Sequence, residues 1–305
     1  MKLGLLTAAF PDLSLDEIAD WAAANGFDSL EVACWPAGEG AARRYAGVSH
    51  IDVDALDDAG ARRISEGLER RGLTISSLAY YSNNLDPDVE AREAAHAHLR
   101  KVMEAAAKLG VPAVGTFAGN DPARPLPENL KRFAELWPPL VRHAGELGVQ
   151  VAIENCPMLF SYDERPGGTN LAYSPHAWRA MFEAIPDAHF GLNLDPSHLV
   201  WQMIDAERVV FEFADRILHA HGKDLEVRRD GLYEHGVMST GIGWQVPRLC
   251  GHGQVDWGRF IGALYAVGYD GVVSIEHEDR RFEGDVDLVK KGFLVARNTL
   301  RPLIA

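Results

Sequence analysis

The sequence contains no run of 18 or more apolar residues, so it offers no membrane-spanning helix. Cysteine is sparse. Cys34, Cys156 and Cys250 are far apart and form no Cys-x-x-Cys pair, so they read as reduced thiols of a cytoplasmic protein rather than a disulfide framework. Positive charge is also short: 30 Lys and Arg against 44 Asp and Glu leave a formal charge of −14. That balance argues against nucleic acid as the main partner, because phosphate contacts need clustered basic side chains. No charged-then-apolar leader precedes the first strand-like run, so export is not expected. Nor does a low-complexity linker divide the chain. A single domain over residues 1–305 is therefore expected, with a homo-oligomer left open.

What the sequence does have is a long alternation of strand-like and helix-like segments. Strand-like runs fall at 3–7, 29–33, 75–80, 113–117, 149–154, 190–195, 217–221 and 272–276. Helical spacing fills the intervals, for example at 15–24, 55–70, 90–109, 128–147 and 257–267, and Ser14 with Glu17 forms a capping box ahead of the first. Five helical segments end on a glycine followed by a new strand-like segment, at Gly26, Gly72, Gly110, Gly148 and Gly268. Such joints mean parallel strands linked by helices. Eight units over about 300 residues predict a (β/α)8 TIM barrel. A doubly wound sheet is the alternative, but it usually carries Gly-x-Gly-x-x-Gly after the first strand, and no glycine follows Leu6 there.

Chemistry gathers at the predicted C-terminal strand ends. Gly191 to His198 reads Gly-Leu-Asn-Leu-Asp-Pro-Ser-His: a strand that places Asn193 and Asp195 on one face, stops at Pro196 and delivers His198. Strand five ends on Glu154, strand seven on His221 and strand eight on Glu276, so four neighbouring strands each present one oxygen or nitrogen donor. Three carboxylates and an imidazole suit a hard or borderline divalent ion, Mn2+ first, with Mg2+, Co2+ or Zn2+ able to use the same donors. Glu278 continues the face of Glu276 and is its main rival. His198 reads as a substrate contact rather than a direct ligand, and His219 as a core histidine. His96, His98 and the acidic stretch 52–58 read as surface residues. Trp35, Tyr80, Tyr81 and Phe117, near the ends of strands two to four, could stack on a sugar face or simply fill the barrel mouth. Lys223 could polarise a carbonyl or pair with Asp224; a substrate-facing role is preferred.

Taken together, Ile-Glu-Asn on strand five, Asp-Pro-Ser-His on strand six, His-Gly-Lys-Asp on strand seven and Ser-Ile-Glu-His-Glu-Asp on strand eight resemble the xylose-isomerase-like barrels of the sugar phosphate isomerase/epimerase family. Gly253-Gln-Val-Asp-Trp257 and Gly268-Tyr-Asp-Gly271 match as well, so the resemblance spans essentially the whole chain. It implies that Glu154, Asp195, His221 and Glu276 bind one divalent metal, that Glu154 and Glu276 are the acid/base pair, and that His198 contacts a substrate oxygen. The activity implied is isomerisation or epimerisation of a sugar through an enediolate. Alternatives are a lyase or dehydratase of an oxidised sugar, a non-catalytic sugar-binding barrel and, against the charge, an endonuclease.

The chain departs from the ketose epimerases of that family at two places. Phe160 and Val227 stand nearest to positions where those enzymes carry a glutamate and an arginine, although Glu164, Arg165 and Arg228 lie close by. The long connection after strand seven, with His235, Trp244, Arg248 and His252, leaves room for a larger or modified sugar, such as a keto-glycoside, an inositol derivative or a sugar acid. His252 is the candidate substrate contact there.

Overall fold

Apolar strand residues alternating with capped amphipathic helices produce a closed ring of parallel strands. The computed structural model describes residues 1–36, 47–158, 168–237 and 243–304. Within these, the strands are β1 (Lys2–Leu6), β2 (Ser29–Ala33), β3 (Thr74–Ala79), β4 (Ala113–Thr116), β5 (Gln150–Glu154), β6 (Phe190–Leu194), β7 (Ile217–Gly222), β8 (Asp224–Val227), β9 (Gln245–Arg248) and β10 (Val272–Ile275). All but β8 and β9 close a barrel in the order β1-β10-β7-β6-β5-β4-β3-β2. Its pairings are parallel, as in Val151 against Phe190 and Val273 against Ala220. Each expected run became one barrel strand, with ends shifted by a residue or two. The pair β8–β9 is an addition: an antiparallel hairpin inside the connection that follows β7.

The helices are α1 (Leu15–Ala24), α2 (Asp58–Glu69), α3 (Val89–Leu109), α4 (Leu126–Leu136), α5 (Pro138–Glu146), α6 (Pro175–Ala184), α7 (Ser197–Val200), α8 (Ala206–Glu212), α9 (Arg229–His235), α10 (Trp257–Ala266) and α11 (Val286–Leu300). Ser14 and Glu17 cap α1 reciprocally, with Ser14 N donating to Glu17 Oε2 at 2.8 Å and Glu17 N to Ser14 Oγ at 3.3 Å. The single helix expected over 128–147 is two, because Pro138 and Pro139 follow Trp137. A proline lacks the N–H for an internal helix bond and fits best in a first turn, where α5 begins. The five glycines at the helix-to-strand joints all adopt positive φ, between 67° and 78°.

The apolar core lies between the strands and the helical layer, where Phe133, Trp137 and Phe190 pack at ring separations of 5.7–5.8 Å. At Gly191 of β6 the neighbouring chain passes so close that a Cβ would sit 2.3 Å from Arg216 O, so only glycine fits. Inside the barrel, toward the C-terminal ends of the strands, the filling turns polar: Glu31, Asn193, His219 and His221 are all buried. That polar interior is where the site lies.

Candidate active site and metal-ligand cluster

β5 ends on Glu154, and Asn155 ties that end to its neighbour. Asn155 Nδ2 donates to Asp195 O at 2.9 Å, while Asp195 N donates back to Asn155 Oδ1 at 2.7 Å. Asp195 follows β6 directly, and its Oδ1 accepts from Ser197 N at 2.8 Å, which leaves Oδ2 facing inward. His221 on β7 and Glu276 after β10 complete an arc of four adjacent barrel strands. One donor atom from each of Glu154, Asp195, His221 and Glu276 lies within 4.8 Å of all the others, and all four residues are buried. His221 Nδ1 is 3.5 Å from Glu154 Oε1 and 3.3 Å from Glu276 Oε2. Glu278 stands one step out, its Oε2 3.3 Å from Lys223 Nζ, so Glu276 rather than its rival belongs to the four.

Burying three carboxylates together is costly unless a cation joins them. Glu154 Oε1, Asp195 Oδ2 and His221 Nδ1 are buried and, among the described residues, lack a partner with hydrogen-bond geometry. Converging, unpartnered oxygen and nitrogen atoms are the donor set of a divalent ion, and these residues fit one. The structure supplies a cation of its own as well. Lys223 Nζ lies 2.6 Å from Glu276 Oε2, 3.0 Å from Asp195 Oδ2 and 3.7 Å from Glu154 Oε1, with the side chain 3% exposed. Burial works against that ammonium, but the surrounding carboxylates outweigh it and hold it charged well beyond the ordinary lysine range. Asp224, the alternative partner for Lys223, is turned away: it accepts from Gly251 N, Val255 N and Trp257 Nε1 at 2.9–3.0 Å.

A second ring of polar groups fixes His221. Its Nε2 is 3.0 Å from Glu31 Oε2 on β2, and Glu31 Oε1 accepts from Tyr81 Oη at 2.6 Å. Burial alone would raise the Glu31 carboxyl, but the His221 charge outweighs it and brings the carboxyl down to about 2. With Nε2–H held by Glu31, Nδ1 is the nitrogen left for the cluster. Asn193 Nδ2 donates to Tyr81 Oη at 2.8 Å, and Asn193 Oδ1 meets His219 Nδ1 at 3.0 Å. His219 Nε2 reaches Ser76 Oγ at 3.1 Å, and burial pushes this imidazole down to about 4. His219 is thus the satisfied core histidine expected. Glu31 was missed. Its signal was present, as a lone carboxylate between Leu30 and Val32 on the inward face of a fully buried strand.

His198 Nε2 lies 3.4 Å from Asp195 Oδ2 and 3.6 Å from Glu154 Oε1, beside the four donors rather than among them. The aromatic residues wall the arc opposite. Trp35 follows β2, Tyr80 and Tyr81 follow β3, and Phe117 follows β4; Tyr81 packs on Phe117 at 5.1 Å, on Trp35 at 6.1 Å and on His221 at 6.1 Å. Of the two tyrosines, Tyr81 reaches the cluster, while Tyr80 has its ring 4.5 Å from His98 on α3. His98 and His96 are accordingly buried, not surface residues: their Nε2 atoms bond Cys34 O and Asn84 O, each at 2.8 Å. His252 is exposed, with its Nδ1 3.2 Å from Arg281 Nη2 and its ring beside Phe282, so the structure does not bring it to the cluster. Arg228 is exposed and Arg248 is buried against Asp279 at 3.2 Å. Phe160, Glu164 and Arg165 lie outside the described residues.

The family model described as xylose isomerase-like TIM barrel matches residues 19–299. The chain belongs to that family. Among curated relatives of this xylose isomerase-like barrel, the Bacillus subtilis protein YfiH, itself uncharacterised, is 28% identical over 92% of this chain and 93% of its own length. An inosose dehydratase of Geobacillus thermodenitrificans is 28% identical over 70% of this chain and 72% of its own. Among solved structures, a D-psicose 3-epimerase of Clostridium cellulolyticum H10, crystallised with D-tagatose, superposes with a TM-score of 0.72 at 16% identity, covering 100% of this chain and 99% of that one. That last likeness is one of fold.

Proposed function

We propose that this protein is a divalent-metal-dependent sugar isomerase or epimerase, acting on a polyhydroxylated ketone by proton transfer next to the carbonyl. The observation that carries the reading is the convergence of Glu154, Asp195, His221 and Glu276, with Glu154 Oε1, Asp195 Oδ2 and His221 Nδ1 unpartnered among the described residues. An ion held by these four, Mn2+ in first place, supplies Lewis-acid polarisation of a substrate carbonyl. The side chains do the rest. Lys223, His198 and His221 outweigh burial and hold the Glu154 carboxyl well below the usual range, so it meets substrate as a carboxylate able to take the proton from the α-carbon. Glu276, in the same cluster, returns a proton to the neighbouring carbon or the opposite face. His198 and Lys223 hold substrate oxygens, and Trp35, Tyr81 and Phe117 form the apolar wall against which a sugar face packs. A modified sugar such as a keto-glycoside, an inositol derivative or a sugar acid is the preferred substrate, handled in the cytoplasm; no helix among the described residues is long and apolar enough to cross a membrane.

A second reading, dehydration, is favoured by the 28% likeness to an inosose dehydratase. The first step is the same, but a β-hydroxyl then leaves, with Lys223 placed to protonate it. Nuclear magnetic resonance in D2O separates the two. Exchange of one carbon-bound proton with the carbon skeleton intact marks isomerisation, whereas loss of water marks dehydration. Under either reading, Glu154→Gln and Glu276→Gln each cut turnover by about a thousandfold or more while the fold persists by circular dichroism. Near-normal rates in both variants would remove the proton-transfer assignment.

A further inference from the structure

Two residues beyond Glu154, Cys156 places sulfur beside the cluster. Met158 adopts φ 57°, a left-handed conformation that costs a non-glycine residue energy, and its Sδ lies 3.4 Å from Cys156 Sγ. Glu154, Cys156 and His198 each offer a donor atom within 4.8 Å of the other two. Glu154, Cys156, Met158 and His198 are 2%, 7%, 8% and 9% exposed. Glu154 Oε1 and His198 Nε2, 3.6 Å apart, both lack a partner with hydrogen-bond geometry among the described residues. Two donors bound about 2.1 Å from a tetrahedral ion lie about 3.4 Å apart, so this spacing suits shared coordination.

We infer that Cys156, His198 and Glu154, with the Met158 thioether alongside, form a second ion site that is thiophilic and shares Glu154 with the four-donor cluster. The donor chemistry differs between the two. The first set is oxygen-rich and suits hard or borderline ions, whereas thiolate, thioether and imidazole favour zinc-class and softer ions. On coordination the Cys156 thiol proton passes to the solvent as the sulfur–metal bond forms. An ion in this second site takes Glu154 Oε1 and His198 Nε2 away from substrate, so thiophilic metals act as inhibitors. The inference rests on the four-donor reading in one respect, the sharing of Glu154.

Titrating the intact, chelator-stripped protein separately with Mn2+ and with Cd2+ tests it. The expected result is one Mn2+ per chain in the native protein, in Cys156→Ser and in His198→Gln. Cd2+ binds twice per chain in the native protein, the second ion bringing a thiolate-to-cadmium ultraviolet absorption, but once and without that band in Cys156→Ser. His198→Gln, a substitution that leaves the sulfur residues untouched, weakens the second Cd2+ at least tenfold and keeps the test open should Cys156→Ser fail to fold. A single Cd2+ without the band overturns the inference, as does a band that survives in Cys156→Ser and so arises at Cys34 or Cys250. One Cd2+ with the band and no Mn2+ uptake supports the sulfur site and refutes the four-donor one. No uptake of either ion refutes both.

Discussion

At the scale of single residues, Lys223 has the sharpest consequence. Its ammonium lies within 4 Å of oxygens from Asp195, Glu154, Glu276 and Glu278, so it neutralises the same carboxylates that a divalent ion would use. Two like charges about 4 Å apart repel by about 4 kcal/mol at an effective dielectric constant of roughly 20. Lys223→Met is therefore expected to bind Mn2+ at least about tenfold more tightly than the native protein in calorimetric titration, while losing turnover through the missing substrate contact. Equal or weaker binding would show that Lys223 does not compete for these oxygens. The four donors were legible in the sequence because each closes an apolar strand-like run. Tyr81 and Glu31 were harder. β3 ends at Ala79, so the two tyrosines after it leave in different directions, and alternation along a strand no longer says which one turns inward. Glu31 lies within a strand rather than at its end, where a search of strand ends does not look.

At the scale of elements, the connection after β7 is organised by one buried carboxylate. Asp224 accepts from the backbone of Leu225, Gly251 and Val255 and from the Trp257 indole, which pins both ends of the stretch carrying β8, α9 and β9. Arg248 on β9 then bonds Asp279 after β10, fastening the hairpin to the next strand end. Asp224→Ala leaves several buried donors without acceptors, at about 1–3 kcal/mol each. Amide exchange at Gly251 and Val255 should quicken by about a hundredfold or more, with the β5 and β6 amides keeping their protection; unchanged exchange at Gly251 and Val255 would refute the role. The hairpin itself was not legible. Its strands are only four residues long; Asp-Leu-Glu-Val alternates but is too short to stand out, Gln-Val-Pro-Arg contains a proline, and their pairing depends on contacts 18–24 residues apart. The break between α4 and α5 was legible in principle, since two prolines interrupt a helical pattern.

At the scale of the whole molecule, the polar barrel interior makes stability depend on pH. His219 is held down to about 4 by burial, against an ordinary value near 6.5. Above pH 6.5 neither the folded nor the unfolded chain protonates it. Between 6.5 and 4 the unfolded chain binds the proton and the folded one does not, so stability falls as the solution is acidified; below 4 both bind it and this contribution is constant. The drop amounts to about 3 kcal/mol. Urea unfolding of the metal-free protein across that window should therefore show a shallower pH dependence in His219→Gln than in the native chain, and parallel curves would refute the assignment. The barrel as a whole was legible because periodicity and helix-ending glycines repeat along its length.

The closed strand order also divides the mouth of the barrel. The carboxylates and the imidazole come from the consecutive strands β5, β6, β7 and β10, whereas Trp35, Tyr81 and Phe117 come from β2, β3 and β4. The donor cluster and the aromatic wall thus occupy separate semicircles, carried on separate stretches of chain. Tyr81 spans the divide, since its hydroxyl donates to Glu31, which in turn holds His221, so reshaping this half of the mouth at Tyr81 also reaches the donors across from it.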